Sequence, residues 1–261
     1  MAKPASELVI EELKKLLDKE ELNGAVATKI EELINELQGH LHPFDPAVKR
    51  IIDGFTYFKF NNFDKNRELY KELALHQSPK FMIFACSDSR VSPDVILNFQ
   101  LGEAFLVRNI ANMVPQFNQL RHSGVGAAIE YAITALKVPN ILVIGHSRCG
   151  GIQRLMSHPE DNSAPFDFID DWIKTGLPAK TKVLKEYQGF DFKEQCNFCE
   201  KESVNNSLVN LHTYPYVETG VRNKTLEIMG GYYDFVNGKF EFWNYKSHIT
   251  KSITIPLFPQ K

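Results

Sequence analysis

The sequence predicts an α/β fold in which helices flank a mostly parallel central β-sheet, with an N-terminal helical arm and a C-terminal β-hairpin and edge strand. Three observations predict it: helical periodicity over the first sixty residues, apolar runs that alternate with helical segments from residue 80, and an Asn-Gly pair between two late strand-like segments. We expect one domain over residues 1–261, with the arm at 1–62, the α/β core at 63–225 and C-terminal strands at 226–261.

In the arm, apolar residues recur every three to four positions between charged residues of both signs, which predicts amphipathic helices. Asp45-Pro46 is typical of a helix start, because Asp can cap the first turn and Pro tolerates the first helical position. Since the polar side carries both signs of charge, we expect the apolar side to cover protein rather than a membrane.

Apolar runs in the core predict three buried strands, at residues 80–85, 103–108 and 140–145. The segments between and after them predict helices at residues 123–136, 166–175 and 193–211. Strands that alternate with helices are typical of parallel sheets with right-handed crossovers.

Asn237-Gly238, between strand-like residues 232–236 and 240–245, predicts a β-hairpin. The apolar tail at residues 253–258 is expected to form an edge strand, paired with another chain.

The composition excludes several classes of protein. It is 43% hydrophobic and 24% charged, with a formal net charge of −2, so we expect no nucleic-acid partner. No apolar run approaches the ~20 residues of a membrane span, and the N-terminus resembles neither a secretory nor a transit peptide. We therefore expect a cytoplasmic protein without a membrane partner; the chloroplast stroma is the alternative if the sequence begins at a mature N-terminus.

Cysteine and histidine follow two of the predicted strands. Cys86 comes after the first, and His146 and Cys149 come after the third. Because the carboxyl ends of neighbouring parallel strands meet at one sheet edge, these side chains are expected to converge. Two thiolates and an imidazole suit Zn²⁺, and three protein ligands leave a fourth position open, as in catalytic zinc sites. The alternative is that all three are buried packing residues.

Asp88 and Arg90 are predicted catalytic residues. Asp88 lies two positions beyond Cys86, so its carboxylate can reach the fourth ligand position, and Arg90 can clamp it through the planar guanidinium. A clamped carboxylate keeps a low pKa and remains a hydrogen-bond acceptor. The alternative is a structural ion pair. Cys196 and Cys199 are a competing redox or metal site, but packing is favoured because no second Cys/His pair lies nearby in sequence.

Several segments, in order, resemble the β-class carbonic anhydrases: ACSDSRV at 85–91, GEAFLVRNIAN at 102–112, GAAIEYAI at 126–133 and VIGHSRCGGI at 143–152. Residues 199–217 and 230–243 resemble the land-plant branch. The resemblance implies zinc held by Cys86, His146 and Cys149, with Asp88 and Arg90 beside it. It implies reversible hydration of carbon dioxide to bicarbonate by attack of zinc-bound hydroxide.

The resemblance also implies a substrate pocket built across a homodimer interface. Gln77 would hydrogen-bond the substrate oxygen, and Phe105, Ile110 and Tyr131 would form an apolar wall suited to a small apolar molecule. A dimer would be the minimal unit, and the plant members imply an octamer. Two other functions remain open: a carbon disulfide hydrolase on the same scaffold, and a non-catalytic binding or signalling protein whose zinc serves folding.

One departure from the plant pattern lies between the metal ligands. Arg148 stands there, where plant members commonly carry a small residue. A cation at this position is placed to bind bicarbonate or buffer anions, or to face solvent. We expect it to face solvent.

Overall fold

The computed structural model describes residues 5–17, 24–39, 45–118, 122–159, 166–245 and 248–255. The chain divides into two compact units, Met1–His76 and Gln77–Lys261. The expected boundaries of the single domain and its arm stay a prediction.

The first unit is helical. Its helices are α1 (Ala5–Leu17), α2 (Gly24–Gly39), α3 (Pro46–Phe58) and α4 (Arg67–Leu75), with a π-helical turn at Lys59–Phe63 and a 3₁₀ turn at Asp64–Asn66. The predicted start of α3 is confirmed, because the Asp45 carboxylate accepts a hydrogen bond from the backbone N–H of Ala47 at 2.9 Å. Helical periodicity therefore predicted this region correctly.

The second unit is built on a six-stranded sheet with the order β2-β1-β3-β4-β5-β6. The strands are β1 (Phe81–Cys86), β2 (Ala104–Asn109), β3 (Asn140–His146), β4 (Glu227–Asp234), β5 (Lys239–Tyr245) and β6 (Ile253–Thr254). The first four pair in parallel, and β5 and β6 are antiparallel. The central strands β1 and β3 are almost entirely buried, as expected for parallel strands covered on both faces. The predicted α/β class is confirmed.

Seven helices of the second unit lie within the described ranges: α5 (Pro93–Ile96), α6 (Ser123–Glu130), α7 (Gly150–Ser157), α8 (Ile169–Ile173), α9 (Leu177–Glu186), α10 (Phe192–Leu211) and α11 (Pro215–Arg222). The helix α10 begins with a capping box, in which Asp191 accepts from the N–H of Glu194 at 2.8 Å and Glu194 accepts from the N–H of Asp191 at 3.2 Å. No helix in the described part of the chain is long and apolar enough to cross a membrane.

The predicted hairpin between β4 and β5 is present, but its turn was predicted too short. Strand β4 ends at Asp234, whose carboxylate accepts from the N–H groups of Val236 at 3.0 Å and Asn237 at 3.3 Å and so closes a four-residue turn. Gly238 completes the turn with φ +64°, which glycine adopts without strain. The predicted edge strand is β6, which pairs with β5 of the same chain; residues 256–258 lie outside the described residues.

Candidate metal centre

The structure brings Cys86, His146 and Cys149 together. Cys86 ends β1 and His146 ends β3, and these two strands are neighbours in the sheet. A short turn after β3 then places Cys149 directly before α7. All three side chains are buried, and their ligand atoms lie within 4.8 Å of one another. Zinc bonds of about 2.0–2.3 Å separate two ligands of one ion by less than ~4.6 Å, so the cluster is close to the size that one zinc ion requires.

His146 is oriented as a metal ligand. Its Nδ1 lies 2.9 Å from the carbonyl oxygen of Ser147, and because a carbonyl only accepts, Nδ1 carries the proton and donates. Nε2 therefore keeps its lone pair, and it is buried with no hydrogen-bond partner among the described residues. The ring stacks on Phe235, with 6.0 Å between centroids. A buried imidazole whose second nitrogen is anchored to a carbonyl is the usual arrangement of a metal-binding histidine.

The two thiols interact closely. The Sγ of Cys86 accepts a hydrogen bond from the backbone N–H of Asp88 at 3.5 Å. The neighbouring Cys149 thiol lowers the pKa of Cys86, and burial opposes this effect. The same pairing, together with burial, raises the pKa of Cys149. One thiolate therefore forms readily, and a bound cation would stabilise the second, as in a sulfur-rich zinc site.

Asp88 and Arg90 form a bidentate ion pair beside these ligands. Arg90 Nε donates to Asp88 Oδ1 at 2.9 Å, and Nη2 donates to Oδ2 at 2.6 Å. Arg90 Nη2 also donates to the carbonyl of Arg148 at 3.3 Å, and the guanidinium lies 4.4 Å from the ring centroid of Phe235. The Arg90 guanidinium holds the pKa of Asp88 well below its usual range. Asp88 is therefore a charged, fixed acceptor.

Arg108 holds the loop that carries Cys86 and Asp88, a role that sequence reasoning missed. Its Nε donates to the carbonyl of Cys86 at 3.0 Å, and its Nη2 donates to the carbonyls of Asp88 at 2.7 Å and Val91 at 3.2 Å. The available signal was a charged residue directly after the four apolar residues that open β2.

Glu200 holds the backbone at the third ligand, Cys149, and sequence reasoning missed it as well. Its Oε1 accepts from the backbone N–H of Cys149 at 3.1 Å, and its Oε2 accepts from the hydroxyl of Tyr232 at 2.7 Å. Burial raises the pKa of Glu200, and both donors oppose that shift. The signal was its place on α10, four residues after Cys196 and four before Val204, in the buried stripe of the helix.

The four predicted substrate residues do not meet in one chain. Ile110 follows the end of β2, beside the residue that pairs with Cys86, and is exposed in the single chain. Phe105 and Tyr131 pack together at 6.0 Å between ring centroids. Phe105 lies four residues before Asn109, the residue of β2 that pairs with Cys86, and so is about 13 Å away from it at ~3.3 Å per residue. Gln77 is exposed and precedes β1, at the end of that strand opposite Cys86.

Cys196 and Cys199 are free, buried thiols in the core cluster beneath α10. Burial raises their pKa values to about 11 and about 12, which makes them poor thiolates at neutral pH. Among the described residues they join no cluster of potential metal ligands. The side chain of Arg148 is exposed, as expected, and its φ of +53° is unusual for a non-glycine residue.

The comparisons with known proteins agree with the fold and the ligand cluster. The carbonic anhydrase family model matches residues 81–240. Beta carbonic anhydrase 3 of Arabidopsis thaliana is 52% identical over 246 residues, which cover 93% of this chain and 95% of that protein.

Two solved β-carbonic anhydrase structures are also similar to this chain. The β-carbonic anhydrase CcaA is 30% identical with a TM-score of 0.71, covering 75% of this chain and 94% of that one. A chain from the two tetrameric β-carbonic anhydrases of Sordaria macrospora is 26% identical with a TM-score of 0.68, covering 76% of this chain and 97% of that one. The chain therefore belongs to the β-carbonic anhydrase family, of the plant type, whose members interconvert carbon dioxide and bicarbonate.

Proposed function

We propose that this chain hydrates carbon dioxide reversibly, with Zn²⁺ held by Cys86, His146 and Cys149. The observation that carries the proposal is the fixed Asp88 carboxylate beside three convergent ligands, held at both oxygens by Arg90. A zinc site that serves only folding has four protein ligands and no need of an oriented acceptor at an open position.

The donor set supports zinc as the metal, because two sulfurs and one imidazole nitrogen match its ligand preference. The chemistry that zinc supplies when bound is the lowering of a water pKa to about 7, which provides hydroxide at neutral pH. The chain's own residues then orient and protect the reaction.

Asp88 orients the nucleophile. Its carboxylate stays ionised because Arg90 stabilises the charged form, so it accepts a hydrogen bond rather than taking a proton. A hydroxyl hydrogen directed at Asp88 leaves an oxygen lone pair free to attack the carbon of carbon dioxide. The proton that the water loses when hydroxide forms passes to solvent or buffer, since the ionised Asp88 is too weak a base to keep it.

The substrate pocket is completed by a second copy of the chain. Ile110 lies near the carboxyl ends of the parallel strands, where the metal ligands of the same chain are. Gln77 and the Phe105–Tyr131 pair lie toward the amino ends of these strands. In a two-fold dimer, Gln77 of the partner subunit would hydrogen-bond the substrate oxygen, and the partner's Phe105 and the partner's Tyr131 would complete the apolar wall. Octamers assembled from such dimers are our proposal for the full assembly.

Stopped-flow hydration of carbon dioxide by metal-loaded, chelator-stripped and zinc-restored protein tests this proposal. We expect activity that is lost on stripping and returns with zinc. A zinc-loaded protein without activity would contradict the proposal and favour a binding protein, and preferential turnover of carbon disulfide in the same assay would favour the hydrolase.

A further inference from the structure

The turn between β3 and α7 is held from the side of α10 by a single buried carboxylate. Glu200 is 2% exposed, and its two oxygens accept from the N–H of Cys149 and the hydroxyl of Tyr232. The Tyr232 bond fixes the second oxygen, so the carboxylate cannot rotate away from the turn.

A glycine in β3 makes this contact possible. A Cβ on Gly145 would lie 2.7 Å from Cγ2 of Val204 and 3.1 Å from the carbonyl oxygen of Glu200. The helix α10 therefore lies against the backbone of β3 at the residue before His146. Any larger side chain at this position would push the helix and its carboxylate away from the turn.

We propose that Glu200 is a positioning residue of the metal centre, which fixes the peptide of Cys149 so that its sulfur stays in place beside Cys86 and His146. The inference rests on the proposed function only in requiring that these three residues bind a metal. If the inference is right, the wild-type protein loses its metal more slowly than a variant without the Glu200 carboxylate.

The physical reason lies in the backbone of Cys149. The N–H of this residue is bonded to Glu200 rather than to a helix carbonyl, because it stands before the first turn of α7. Without Glu200, this buried donor lacks an acceptor, and the turn is free to adopt other conformations that satisfy it. Partners of metal ligands in this role typically change metal affinity by about 10–100-fold when they are removed.

The test is the rate of zinc transfer from the full-length protein to a chromogenic chelator, measured where circular dichroism shows each variant folded. We expect Glu200→Ala to release zinc about 10–100-fold faster than the wild type, and Glu200→Gln to stay within about threefold because its amide oxygen can accept the same N–H. Glu202→Ala is the matched control: it removes a carboxylate on the same helix that pairs with Lys182 at 2.9 Å instead of with the metal-binding turn. We expect wild-type release from that variant.

If Glu200 only stabilises the fold, Glu200→Ala will have a lower melting temperature but will release zinc within twofold of the wild-type rate. That result would overturn the proposal. If Glu200→Ala does not fold, Glu200→Asp decides, because its shorter side chain keeps the charge but draws the oxygens back from the Cys149 N–H. Fast release from this variant supports the proposal, and wild-type release overturns it. Zinc transfer is read without carbon dioxide, so a failure of the proposed hydration would leave this test intact.

Discussion

Arg90 donates hydrogen bonds to both carboxylate oxygens of Asp88, from Nε to Oδ1 at 2.9 Å and from Nη2 to Oδ2 at 2.6 Å. A second pair has the same fork geometry: Arg154 Nε donates to Asp170 Oδ1 at 2.6 Å and Nη2 donates to Oδ2 at 2.7 Å. Only the first pair lies in the loop after a candidate metal ligand. The two pairs therefore separate the effect of an oriented acceptor from that of an ion pair.

We expect Asp88→Asn to lower kcat/KM for carbon dioxide hydration by about 100-fold or more while zinc stays bound, because an amide presents only one acceptor oxygen and an unfavourable NH₂ group to Arg90. Stopped-flow rates and zinc content of the same preparations measure this. The matched control is Asp170→Asn, which we expect to keep the wild-type rate per bound zinc. Equal rates in wild type and Asp88→Asn would refute the role of Asp88.

The Arg154–Asp170 pair is expected to make stability depend on pH. The hydrogen bond from Arg154 lowers the pKa of Asp170, so its contribution to stability is complete above the unfolded value of about 3.9 and is lost as pH falls through the lower folded value. Urea unfolding at several pH values measures this. Asp170→Asn is expected to be clearly less stable than wild type at pH 7, and the difference is expected to shrink below about pH 4. A difference that stays constant with pH would contradict the assignment.

The sequence was sufficient to predict Cys86, His146 and Cys149 as ligands, because all three follow predicted strands. Parallel pairing of β1 with β3 brings the carboxyl ends of both strands to the same edge of the sheet. Glu200 could not be found in this way. It lies 51 residues from Cys149, and its contact depends on the close packing of α10 against β3 at Gly145, which no local pattern reports.

The turn before β5 differed from expectation for a local reason. The predicted strands at 232–236 and 240–245 leave residues 237–239 for the turn, but Asp234 accepts two backbone N–H groups and ends β4 early. Gln77, Phe105 and Tyr131 stay predictions from the resemblance; if they serve the site, a second copy of the chain must contribute them.

Complementation between inactive variants tests the shared pocket. Cys86→Ser removes a metal ligand and Gln77→Ala removes the proposed substrate contact, so each homodimer is expected to be impaired. If the partner subunit's Gln77 completes each pocket, a mixed dimer has one intact site. Unfolding and refolding the two variants together at equal amounts is then expected to restore about a quarter of wild-type activity for random pairing. No gain over the separately refolded variants would place Gln77 in the pocket of its own chain or outside it.

Gly145→Ala is expected to destabilise the protein by about 1–3 kcal/mol, because the new methyl group would overlap Val204 and the backbone of Glu200. Chemical unfolding of the zinc-loaded protein measures the change. Gly189→Ala is the control, since no atom lies within 4 Å of a Cβ there. Equal stability of the two variants would show that β3 and α10 can separate without loss.

The rate of carbon dioxide hydration per bound zinc, measured by stopped flow on wild type and Cys86→Ser, is the decisive measurement for the zinc-dependent hydration proposed for this chain. We predict one zinc per wild-type chain, a rate that rises with pH through about 7, and loss of both zinc and activity in Cys86→Ser. Full zinc occupancy in wild type without hydration, or undiminished hydration by Cys86→Ser, would contradict this proposal.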